Sequence, residues 1–111
     1  MKAFTTLHED DEYIYHLCPA MDWQQAQALG SYSCASLQEE GFIHFSYARQ
    51  VRGTWERLFQ GKTGMVLLEV LRNRSGLDVR DEDLYDMDQD FPHVYEVLPV
   101  AAVIRVIPVD E

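Results

Sequence analysis

Met65-Val66-Leu67-Leu68-Glu69-Val70-Leu71 is apolar at every position except Glu69. Such a run reads as a strand covered on both faces, and so as the centre of a sheet. Upstream, Val51, Trp55, Leu58 and Phe59 fall at i, i+4, i+7 and i+8, the stripe of a helix over Ala48–Gln60 that packs on that sheet and is stopped by Gly61. Phe42-Ile43-His44-Phe45-Ser46 reads as a buried strand, and Ser36-Leu37-Gln38-Glu39 has the spacing of a capping box opening a one-turn helix before Gly41. Further back, Glu12 to Cys18 reads as a first strand with Tyr13, Tyr15 and Leu17 on one face. Pro19 then starts a helix through Met21–Leu29, Gly30 ends it, and Ser31–Ser33 is a short strand.

Downstream of the central run, Asn73-Arg74-Ser75-Gly76 is a turn and Leu77 to Arg80 a short edge strand. Residues 81–90 form an acidic loop, and strands at His93–Leu98 and Ala102–Ile107 are separated at Pro99. The pattern is α+β: a strand-rich mixed sheet with two main helices early in the chain. Residues 1–11 read as a flexible acidic arm and 12–111 as a single α+β domain.

The chain has 111 residues, 47% of them hydrophobic, enough for a core without disulfides or metals. No apolar run approaches a membrane span, and Glu9-Asp10-Asp11-Glu12 stands where a signal peptide needs its apolar stretch, so a cytoplasmic protein is expected. Cys18 and Cys34, outside any CxxC, read as free thiols. The net charge of −10 argues against DNA and anionic membrane as partners. Seven of the nine basic residues nevertheless lie between Arg49 and Arg80, either as an ordinary solvated surface or as a local cationic face for a phosphate.

Three motifs fail on inspection. Gly61-Lys62-Thr63 lacks the upstream glycine of a phosphate loop, where Glu56 stands, and follows a helix rather than a strand. Asp86, Asp88 and Asp90 alternate as in a calcium loop, but Phe91 replaces the required glycine and Val97 the bidentate glutamate. Asn73-Arg74-Ser75 is a glycosylation sequon only in a secreted protein.

The histidines carry more information. His16, His44 and His93 fall within or at the start of strands, beside aromatic and small polar residues. A histidine so placed must satisfy two ring nitrogens, and is either a hydrogen-bonded core residue or part of a cleft wall. Side chains two apart on a strand share a face, which sets His44 with Ser46 and His93 with Tyr95. Convergence of the three histidines on one cleft is therefore expected. The spacings lack the short pairs that anchor a zinc site, so no metal is expected.

Tyr13-Ile14-Tyr15-His16-Leu17, Trp23, Ser36-Leu37, Gly41-Phe42-Ile43-His44-Phe45-Ser46 and Phe91-Pro92-His93-Val94-Tyr95 together resemble the family called domain of unknown function 952, over residues 13 to 107. The resemblance implies a bacterial protein with a fold similar to the ADP-ribosyltransferases. In transferases of the poly-ADP-ribosyl type, a first-strand histidine hydrogen-bonds the adenosine ribose of NAD. A later Gly-Ile-Tyr-Phe-Ala strand presents a tyrosine to nicotinamide and leads into a helix. The resemblance gives His16 the first role and sets His44 near that tyrosine. The transferase glutamate has no counterpart, since Glu96 follows Tyr95 out of place and His93 is no carboxylate.

The functional expectation is a small-molecule-binding domain whose pocket is lined by His16, Ser46 and Tyr95. His44 and His93 are the candidate acid–base groups, and NAD or ADP-ribose is the implied ligand. The rival expectation is an interaction or structural module in which the histidines are core.

Overall fold

A computed structural model describes residues 2–109. In chain order the elements are β1 (Tyr13–Pro19), α1 (Ala20–Leu29), β2 (Ser31–Tyr32), α2 (Ala35–Glu40), β3 (Ile43–His44), α3 (Ala48–Thr54), β4 (Met65–Leu71), β5 (Val79–Glu82), β6 (Phe91–Val94), β7 (Leu98–Pro99) and β8 (Val103–Val109). Short 3₁₀ turns at Lys2–Thr6 and Val100–Ala102 and a π turn at Trp55–Phe59 are the remaining elements. This is a mixed α+β fold of antiparallel sheets.

The apolar run is central, as its composition implies. β4 pairs antiparallel with β1 on one side and β8 on the other, and its first six residues are buried. Glu69 is 2% exposed yet not unpaired: Tyr15 Oη donates to it at 2.6 Å and Arg105 at 2.7 Å. Burial of a lone carboxylate is costly, and these charge-assisted bonds offset it.

Each face of this sheet covers a core. On one face Tyr15, Leu17 and Leu67 meet Val51 and Trp55 of the helix that follows β3. On the other, Ile14, Cys18, Val66 and Leu68 meet Trp23 of α1 together with Ile43, Phe45 and Val94. The strand order of the second sheet is β3-β6-β5, with β5 at its edge, and β2 pairs with β7. The two three-stranded sheets meet where Tyr15 and Ser46 exchange backbone hydrogen bonds of 2.8 and 2.7 Å.

Local signals hold in places. Gly30 ends α1 at φ +87°, a left-handed conformation that glycine enters without steric cost, and its N–H donates to Ala26 O at 2.7 Å. Cys18 and Cys34 are free thiols.

Three expectations are corrected. The short helix expected before Gly41 is α2, of six residues. Its cap is not Ser36: α2 opens after Cys34, and the Ser36 hydroxyl donates to Phe42 O at 2.8 Å instead. The long helix is α3 only to Thr54 and then widens into a π turn over Trp55–Phe59. That extra residue per turn rotates Leu58 outward, leaving it 57% exposed while Trp55 stays buried. The supposed N-terminal arm is packed, because Phe4 and Leu7 bury against the Trp55 side of the sheet, with the Phe4 and Trp55 rings edge to face at 6.2 Å. With Ala3, these are three apolar side chains that dock the segment.

Trp55→Ala should therefore cost about 3–5 kcal/mol, the range for emptying a large aromatic site. Leu58→Ala should cost under about 1 kcal/mol, as exposed substitutions do. Urea unfolding of both variants checks the π turn; comparable losses at the two positions would show that Leu58 is core.

Candidate functional site

His44 and His93 are direct cross-strand partners in the β3–β6 pair, so both rings leave the sheet on one side. Their centroids lie 5.4 Å apart, edge to face. The ring of Phe42 stacks on His93 at 4.1 Å and fixes its plane.

Each histidine has a carboxylate partner that sequence reading does not reveal. Glu82 Oε1, on β5, accepts from His93 Nδ1 at 3.0 Å and from the Tyr95 hydroxyl at 2.5 Å. These two bonds hold the Glu82 carboxyl below its usual range, the tyrosine bond contributing most, so it is an anion that can only accept. His93 must then carry its proton on Nδ1. Burial, outweighing the nearby Glu82, also holds His93 below its ordinary value, so the ring is neutral near pH 7. Its Nε2 has no hydrogen-bond partner among the described residues, and the ring, 1% exposed, lines the cleft. His44 Nε2 lies 3.1 Å from Glu40 Oε1. Tyr85, from the acidic loop, donates to the other Glu40 oxygen.

The cleft above these rings has a volume of about 460 Å³. Its walls are apolar (Phe45, Leu58, Met87 and Phe91), with Ser46, Thr54, Tyr85 and Arg57 as polar points. The Ser46 and Thr54 hydroxyls bond each other at 2.9 Å. A second cleft of about 270 Å³ adjoins it, shares His44, Ser46, Thr54 and Leu58, and is floored by His16, Tyr32 and Cys18. The residues expected to be a solvated acidic loop thus supply Tyr85 and Met87 to the wall. Asp83 shapes that loop by accepting the backbone N–H groups of Met87 and Asp88 at 2.8 and 2.9 Å.

The sequence candidates divide accordingly. His44, His93 and Ser46 line the first cleft. His16 lies next to them but has no nitrogen to offer a ribose: Nδ1 donates to His44 O at 2.6 Å and Nε2 accepts from Tyr32 Oη at 2.7 Å. Burial pushes its pKa down to about 4. Tyr95 lines neither cleft; it acts on Glu82 from behind, with Arg80 over its ring at 4.1 Å. Glu96 accepts from the Asp78 N–H, away from the histidines. The fourth histidine, His8, stacks on Tyr13 elsewhere. Arg57, Glu40, Glu82 and Tyr85 escape sequence reading because each reaches the site across a turn or a strand pairing.

The family profile described as "Protein of unknown function (DUF952)" matches residues 17–106. The chain belongs to that family. Among solved structures it is similar to protein CC0527 from Caulobacter crescentus. The crystal structure of CC0527 is 32% identical, with a TM-score of 0.81, over 88% of this chain and 86% of that one. The solution structure of the same protein gives 32% identity and a TM-score of 0.79 over 89% and 85%. No curated protein matches the sequence. No helix among the described residues is long and apolar enough to cross a membrane.

The His16 geometry sets a pH dependence. Its folded pKa lies below the unfolded value of 6.5, so as pH falls from 6.5 towards 4 the unfolded chain takes up a proton that the folded chain refuses. Stability should drop by about 3 kcal/mol across that window and be unaffected above it. His16→Gln, which keeps one donor and one acceptor, should lack this loss. Parallel urea-midpoint curves for the two proteins between pH 7 and 4 would contradict the assignment.

Proposed function

We propose that the cleft is a small-molecule site and that its ligand class is a nucleotide such as NAD or ADP-ribose. The single observation carrying the first part is the His93 ring, held by Glu82 and Phe42 in the wall of an apolar cleft, with no partner for Nε2 among the described residues. A polar group left without a partner at low exposure is costly, so an acceptor fixed on one side only is suited to meeting a ligand hydroxyl. The nucleotide class rests on the family resemblance, which extends to an ADP-ribosyltransferase-like fold. It is supported by the two adjoining clefts sharing His44 and by Arg57 on the wall, an exposed cation with no ion pair among the described residues. The resemblance supplies no counterpart for the transferase glutamate, which favours binding over ADP-ribosyl transfer. A cytoplasmic setting is part of the same proposal.

A second reading, an interaction module, has Ile104 and Val106 in its favour, both exposed on the edge strand β8.

ADP-ribose or NAD at millimolar concentration should raise the melting temperature, because a ligand that binds only the folded state stabilises it by mass action. His44→Ala should abolish the shift while changing stability by less than about 1 kcal/mol, since its side chain is 40% exposed. A flat response to both nucleotides, together with self-association lost in Ile104→Asp, would favour the interaction module instead.

A further inference from the structure

The cleft holds more than a binding wall. A carboxylate that accepts from one ring nitrogen fixes the histidine tautomer and steadies the imidazolium formed when the other nitrogen takes a proton. Glu82 stands in that relation to His93 at 3.0 Å, and Tyr95 holds Glu82 in turn at 2.5 Å. His93 is 1% exposed and stacked on Phe42, so its ring cannot swing away from the cleft. Phe45, Leu58 and Phe91 give the cleft an apolar wall that fits a flat ring. Arg57, whose guanidinium lies 5.8 Å from the centroid of the Phe91 ring, is the one Lys or Arg lining either cleft among the described residues, and fits a single anionic group.

We infer that His93, positioned by Glu82, is the proton acceptor of a hydrolytic site for a small ester that carries a flat apolar group and one negative charge. This rests on the reading of the cleft as a small-molecule site. In the step, water gives a proton to His93 Nε2 while its oxygen bonds to the ester carbonyl carbon. The tetrahedral intermediate then breaks its bond to the alcohol oxygen, which leaves with the electron pair and takes the proton from His93. Ester and water give acid and alcohol, and His93 returns neutral. The groups facing His93 are Glu82 from β5, His44 from β3 and Glu40 at the end of α2; Glu82 and Glu40 favour its charged form and His44 opposes it.

Hydrolysis of 4-nitrophenyl acetate and 4-nitrophenyl hydrogen succinate tests this directly. The native protein should exceed equimolar free imidazole, with the succinate ester preferred and that preference lost in Arg57→Gln. His93→Gln should lower the rate at least about tenfold, the lower end for losing a positioned base. Rate against pH should rise at an inflection below the ordinary histidine value. Glu82→Gln should move it further down, a shift that a merely structural role would not produce. If His93→Gln does not fold, carbethoxylation of native His93 should remove activity at the rate of modification.

A native rate no faster than imidazole, or an unchanged rate in folded His93→Gln, would overturn the inference. No hydrolysis with a retained ADP-ribose melting shift would sink the hydrolytic site and leave the binding reading standing. Hydrolysis without any nucleotide shift would do the reverse for the ligand class.

Discussion

His16 is the joint on which the site depends. Its ring stands on β1 of one sheet, donates to the His44 carbonyl on the other and accepts from Tyr32 beside α1. A neutral imidazole has one donor and one acceptor, and both are used here in a buried place. Together with the Tyr15–Ser46 bridge, this holds the two sheets at a fixed offset. The offset determines where β3 presents His44 and, through the β3–β6 register, where His93 stands. A histidine that resembles a ligand contact in sequence is thus a structural tie. Its neighbours face the cleft.

The same logic separates the two cleft histidines. His93 is enclosed and neutral, with its proton directed to Glu82. His44 is half open, with Glu40 and Tyr85 at its outer edge. Two imidazoles in one cleft, one sheltered and one in contact with solvent, can treat a bound molecule differently. The negative net charge does not obstruct this, since the acids nearest the rings are already engaged by histidine and tyrosine.

Much of the scaffold was legible before any coordinates. Met65–Leu71 announced a central strand because both its faces are apolar, and Gly30 marked a helix end because glycine enters the left-handed conformation there without steric cost. The capping box was misleading since Ser36 found a stronger use for its hydroxyl in the Phe42 carbonyl. The helix stripe was right through Trp55 and wrong at Leu58, because periodicity assumes a uniform 3.6-residue turn and the π turn breaks it. The histidine candidates were visible as residue types on strands, but their roles depend on partners far away in the chain. Glu82 lies eleven residues before His93 and meets it only through strand pairing. No local pattern announces that.

The tautomer of His93 tests the account most directly. Long-range proton–nitrogen correlation of the histidine side chains at pH 7 should show one ring, absent in His93→Gln, that is neutral with its proton on Nδ1. Its unprotonated Nε2 should shift when ADP-ribose is added. A His93 ring protonated on Nε2, or on both nitrogens, would contradict the account, because the cleft would then face a donor where a free acceptor is required.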